Sequence, residues 1–214
     1  MFNSKFNNVL TILLVVAIIG IIILIGYFGF SVYNKYKINA DAKNIVDAFE
    51  EVSNSQKNEI PRENVVDRGD LGSLDGNSTI YQGGTSSGTT TKYGGYEVYG
   101  TISIPKINIQ YPILEKPTPQ AIKIAVAYLS GVGVNKVGNT VIQGHNYRNG
   151  MFFSNLKKLT NGDKIYITDP SGTKVTYSVY NVFEASATDS SFYNRDTAGL
   201  REITLSTCTD DRKT

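Results

Sequence analysis

Ile203-Thr204-Leu205-Ser206-Thr207-Cys208 alternates apolar and small hydroxyl-bearing residues and ends on a thiol. In an extended strand, Ile203, Leu205 and Thr207 share one face, and Thr204, Ser206 and Cys208 share the other. Cys208 therefore stands at a strand end beside small polar neighbours. Working backward along the chain, the same kind of pattern recurs in residues 100–104, 137–143, 163–168, 174–183 and 200–207, where β-branched residues are frequent. Gly162-Asp163 and Pro170-Ser171-Gly172 punctuate these runs as turns. Residues 119–129 carry Ile122, Ala125, Val126 and Leu129 at helical spacing and are expected to form the main helix of this part; residues 151–159 are expected to form a shorter one. Several short strands with brief helices predict a mostly-β barrel or sandwich with one core.

The N-terminal side is of another kind. Residues 9–30 carry no charge. As a helix this run of about 22 residues is roughly 33 Å long, enough for a bilayer core of about 30 Å. Tyr27, Phe28, Phe30 and Tyr33 gather at its far end as an interfacial belt would. A transmembrane anchor over residues 9–33 is expected, after a short cytoplasmic segment, 1–8. Lys5 precedes the span and Lys35, Lys37 and Lys43 follow it, so counting charges alone would place the following side in the cytoplasm. Then Ile38, Ala42, Ile45, Val46, Phe49 and Val52 recur every three or four positions, predicting an amphipathic juxtamembrane helix over 34–56. Residues 57–95, with the low-complexity run Gly83-Gly-Thr-Ser-Ser-Gly-Thr-Thr-Thr91, read as a flexible linker. The folded domain is expected over 96–214.

Composition narrows the function. The chain has 214 residues and a formal net charge of +2, without the clustered basic face of a nucleic-acid binder. Its single cysteine rules out an intramolecular disulfide, and with one histidine and no Cys-x-x-Cys pair no structural zinc site is expected. No metal or other cofactor is called for. The one histidine, His145, closes Asn139-Thr-Val-Ile-Gln-Gly-His145 and is followed by Asn146. A sole thiol and a sole imidazole, each just past a strand, suggest a nucleophile and its proton partner, provided the fold unites them. The chemistry would then be acyl transfer through a thioester, with backbone N–H groups or an arginine holding the oxyanion.

Three motifs carry a resemblance. Thr204-Leu-Ser-Thr-Cys208 is similar to the Thr-Leu-x-Thr-Cys signature of sortases, the 139–146 segment resembles the one that bears their histidine, and Ile102-Ser-Ile-Pro-Lys-Ile107 with Tyr111-Pro-Ile-Leu114 resembles their opening strands. The resemblance implies a closed β-barrel and a membrane-anchored cysteine transpeptidase facing the outside of a Gram-positive-type cell. It implies a substrate of Leu-Pro-x-Thr-Gly type, cut between Thr and Gly, and an acceptor amine from a peptidoglycan precursor or a pilin lysine. By position, Cys208 would be the nucleophile and His145 the general acid/base. The family's arginine sits on the strand after the cysteine, some eight or more residues on. Here Arg212 lies four residues past Cys208 and the sequence ends at Thr214. Arg212 is one candidate for that role. The other expectation is that the domain is truncated and the arginine lies beyond it. Motifs around 102–107 look like class A or D, and residues 144–157 look like class B. Two other readings stay open: a membrane-tethered cysteine protease that uses water, and a surface-binding β-domain without chemistry.

Overall fold

The computed structural model describes residues 4–59, 91–186 and 188–209. One α-helix, α1 (Ser4–Glu59), precedes eight strands: β1 (Lys92–Tyr93), β2 (Tyr96–Ile104), β3 (Ile109–Leu114), β4 (Val126–Gly131), β5 (Gly138–Gln143), β6 (Lys164–Thr168), β7 (Lys174–Ser178) and β8 (Arg201–Ser206). Single 3-10 turns over Pro105–Ile107, Ala121–Lys123 and Leu156–Lys158 interrupt them. The sheet order is β7-β6-β2-β3-β4-β5-β8, with β1 paired on β2. Most neighbours are antiparallel, but β3 with β4 and β5 with β8 are parallel. The sheet curls into a nearly closed barrel around Ile102, Ile104, Ile109, Tyr111, Ile113, Ile142, Phe153 and Ile167. The strands thus match the expected mostly-β architecture, with one long apolar helix at the N-terminal side.

The helix expected over residues 119–129 does not form. Thr118 starts a single turn there, its hydroxyl accepting the Ala121 N–H at 3.1 Å. From Val126 the chain is a strand, paired with β3 through Ile113↔Val126 and with β5 through Ala127↔Gln143. The reason is two-sided burial. Ala125, Val126 and Ala127 are all fully buried. Val126 faces the barrel core, while Ala125 and Ala127 belong to a second cluster with Phe49 of α1. A short run that is apolar on both faces has no periodicity to separate strand from helix. The helix expected over 151–159 is likewise reduced to turns, because Phe152 takes a left-handed backbone (φ 48°) that a helix cannot continue through. The strand expected to run to Phe183 stops at Ser178.

Helix α1 is unbroken across the residues read from sequence as two segments. Its first half is apolar on all sides and, among the described residues, is the one stretch long and apolar enough to cross a membrane. Its second half turns one stripe to the barrel. Ala42, Val46, Phe49 and Ser53 are buried, and Ile38 and Ile45 pack beside them. Val52, expected on that stripe, is instead 37 % exposed. Polar contacts fix the stripe in register. Glu50 Oε1 accepts from the Thr101 and Thr168 hydroxyls (3.4 and 3.3 Å) and faces Lys174 Nζ at 3.7 Å. Near the end of α1 the backbone of Ser53 lies so close to Gly172 that a Cβ there would fall 2.8 Å from Ser53 O.

Candidate functional site

Strands β5 and β8 run side by side in parallel, in a register that pairs Gly138 with Arg201 and Gln143 with Ser206. Counting two residues on from the last pair reaches His145 on one strand and Cys208 on the other. Residues far apart in sequence thus emerge at the same end of adjacent strands. Parallel pairing is what achieves this, since an antiparallel partner would carry its C-terminal end the opposite way.

Three bonds stitch the two strand ends together. Gly144 N–H donates to Ser206 O at 3.1 Å, the Thr207 hydroxyl donates to Gly144 O at 2.8 Å, and Asn146 Nδ2 donates to Cys208 O at 3.0 Å. Gly144 is the residue this approach demands, because a Cβ on it would fall 2.8–2.9 Å from Phe153 and Val126. Cys208 is a free, exposed thiol. It is not enclosed in apolar packing, the setting that makes a structural cysteine inert.

His145 is half-buried. Its carbonyl accepts the Phe153 N–H at 3.1 Å, and its ring lies 4.7 Å from that of Tyr147, tilted by 31°. Tyr147 in turn packs on Phe152, and Phe152 on Tyr111, at 5.8 and 5.0 Å between ring centres. Partial burial, with the positive Lys123 nearby, holds the imidazole below its ordinary pKa. The neutral ring is therefore favoured near neutral pH, the form that can accept a proton.

Of the aromatic side chains in this region, Phe152 is fully buried and serves the core, Phe192 is half-buried, and Tyr147 is 42 % exposed beside the imidazole. Arg212 lies outside the described residues. Among the described residues there is no group of three or more His, Cys, Asp or Glu side chains that could hold a metal ion.

Sequence reasoning did not find three neighbours of the candidate pair. Asn146 and Thr207 adjoin His145 and Cys208, and their polarity at strand ends was the available signal. Lys123 gave none, because its segment reads as a helix and its approach to His145 depends on how the barrel closes.

A family model described as a sortase domain matches residues 102–214. Sortase A of Bacillus anthracis is 34% identical over 113 residues, which are 52% of this chain and 52% of that protein. The chain thus spans about half the length of the curated relative it matches. Among solved structures, Sortase A from Corynebacterium diphtheriae is 28% identical, with 55% of this chain and 56% of that one covered and a TM-score of 0.49. A Clostridium perfringens Sortase D5 transpeptidase is 22% identical, with 80% of this chain and 91% of that one covered at a TM-score of 0.53, a likeness of fold. With its second half matched by that domain model, the chain belongs to the sortase family.

Proposed function

We propose that the chain is a membrane-anchored cysteine transpeptidase acting on a C-terminal sorting signal of surface proteins. The observation that carries this reading is the parallel β5–β8 register, which brings the sole imidazole and the sole, exposed thiol to one edge of the barrel. Family membership supports the reaction class.

The steps follow from the two side chains. Cys208 Sγ attacks the carbonyl carbon of the scissile peptide bond while its proton passes to the neutral His145 ring. The tetrahedral intermediate collapses as the imidazolium returns that proton to the leaving amine, and a thioester remains on Cys208. An acceptor amine then attacks the thioester carbonyl, gives a proton to His145, and the thiol is re-formed. A guanidinium fork can donate to the carbonyl oxygen that becomes the oxyanion, and Arg212 is one candidate for it. The donor is of Leu-Pro-x-Thr-Gly type, and the acceptor is a peptidoglycan precursor or pilin amine. Residues 9–33 of α1 serve as the anchor, the stretch read as a linker (57–95) joins α1 to the catalytic domain, and that domain (96–214), to which β1 (Lys92–Tyr93) adds by pairing with β2, is placed outside the cell where such substrates lie.

The test is mass spectrometry of the chain after exposure to a Leu-Pro-x-Thr-Gly peptide. An acyl adduct on Cys208 that triglycine discharges as a ligated product is expected. Discharge only to the free acid would identify a protease, and no adduct at all would refute the covalent route.

A further inference from the structure

We propose that the loop beside His145, residues 147–150, is a membrane-contact surface seated on the headgroup layer of the bilayer that α1 enters. This rests on the reading of α1 as the anchor. It adds where the barrel sits and which part of it meets lipid.

Helix α1 continues without a proline from its apolar half into the half that packs on the barrel. A continuous helix transmits position, so each docked residue has a height above the membrane set by its number. Lys35 comes five residues after Phe30, about 7.5 Å along the axis at ~1.5 Å per residue. The headgroup region is about 5–7.5 Å thick on each side of the hydrocarbon core, and a typical tilt of about 20° lowers Lys35 slightly. Lys35 Nζ donates to the backbone carbonyl of Asn149. One turn further on, Asn39 Oδ1 accepts the Tyr111 hydroxyl at 2.6 Å, and that same hydroxyl receives the Phe152 N–H at 3.2 Å. The loop is thus tied to α1 directly at Asn149, and the chain just beyond it is tied at Phe152 by way of Tyr111, both past the end of the apolar run.

The chemistry of the surface agrees with its height. Tyr36 is 74 % exposed and Tyr147 42 % exposed, and aromatic side chains with a polar tip favour the interface. Residues 31–40 and 144–153 contain Lys35, Lys37 and Arg148 and no Asp or Glu, a composition suited to anionic headgroups. By contrast, Gly172 abuts Ser53, 18 residues past Lys35 and so about 27 Å farther along the helix. His145 is four residues from Asn149, within about 14 Å even for an extended chain. The reactive edge therefore opens close to the lipid surface.

The chain has no tryptophan, so single replacements report cleanly. Tyr147→Trp, Ser171→Trp and Phe28→Trp would each be made in the full chain and reconstituted in vesicles of phosphatidylcholine and phosphatidylglycerol. Nitroxide-labelled lipids, with the label on the headgroup or on the acyl chain, then quench by depth. Headgroup nitroxide is expected to reduce emission from Tyr147→Trp about twofold and to leave Ser171→Trp almost unchanged. Acyl-chain nitroxide is expected to quench Phe28→Trp. Quenching of Phe28→Trp with equal emission from the other two would overturn the proposal while leaving the anchor intact. An unquenched Phe28→Trp would overturn the anchor and the seating together. Should Tyr147→Trp not fold, a nitroxide on the native Cys208 takes its place. Its relaxation by headgroup-chelated nickel must then exceed that of the same label on Ser171→Cys in a Cys208→Ala background, and equality would overturn the seating.

Discussion

Where Gly138 of β5 meets Arg201 of β8, the strand pair is embedded in buried polar bonds; seven residues on, where His145 and Cys208 emerge, it is open. At the first end Asn135 is 7 % exposed and holds the left-handed φ of 58° that asparagine tolerates. Its amide donates toward Ile167 O, Thr173 O and Asp169 Oδ2, its Oδ1 accepts from the Tyr177 hydroxyl, and its carbonyl accepts from Arg201 Nε. Through its side chain Asn135 links the β4–β5 connection to the β6–β7 hairpin, and through its main-chain carbonyl it links both to the start of β8. Asn139 does similar work one turn of the pleat further on, holding Phe192 O, Tyr193 O and the Thr204 hydroxyl. At the second end Gly144, Thr207 and Asn146 still bond across the pair, but the thiol itself is exposed. A network with every partner satisfied stabilises and rigidifies. An open end leaves room for a substrate. The buried polar network lies at one end of β5–β8 and the exposed thiol at the other.

The largest expected effect separates the two ends most sharply. Cys208→Ala should abolish turnover and leave no thioester, while the melting temperature stays unchanged, because an exposed thiol contributes little packing. Residual turnover would break the division. His145→Ala should reduce turnover by about 10²–10⁴-fold, the usual share of a general acid/base, with binding of the signal peptide retained; peptide titration against steady-state rates checks both halves of that statement.

The third change attacks the other end. Asn135→Ala should destabilise the fold by about 3 kcal/mol, through buried partners left unmatched and a left-handed backbone without its preferred residue. Asn135→Gly relieves the backbone cost alone, so urea unfolding of the pair separates bonding from conformation. Turnover per folded molecule should stay near that of the parent in both; a collapse of activity would mean the two ends are coupled.

The smallest effect concerns the proton. Removing the charge with Lys123→Ala should raise the pKa of His145 toward its ordinary value, read from the single imidazole resonance in an NMR titration. The sign for stability follows. A depressed folded pKa means that protons favour the unfolded chain, so the contribution is complete above about 6.5, the unfolded value. It is lost as the pH falls through the folded value. Lys123→Ala should narrow that window, and an unmoved titration would remove Lys123 from the site.

Alternation and turn residues made most strands legible, β8 above all, because a strand with one face on the core writes its period into the sequence. The two candidate side chains, His145 and Cys208, stood out because the chain has only one of each. The segment 119–129 was misread because strand β4 is buried on both faces, and 151–159 because Phe152 bends the backbone to reach Tyr111. Neither cause is local.

The sequence by itself determined where apolar and polar residues alternate, that one helix is apolar all round, and that a lone thiol and a lone imidazole each follow a strand. Those are properties of neighbours along the chain. Tertiary structure alone decided that β5 and β8 are parallel partners, that the stripe from Ile38 to Ser53 lies on the barrel, and that Lys123 stands near His145. Each of these joins residues remote in sequence, and only the packing of a common core selects which remote surfaces meet.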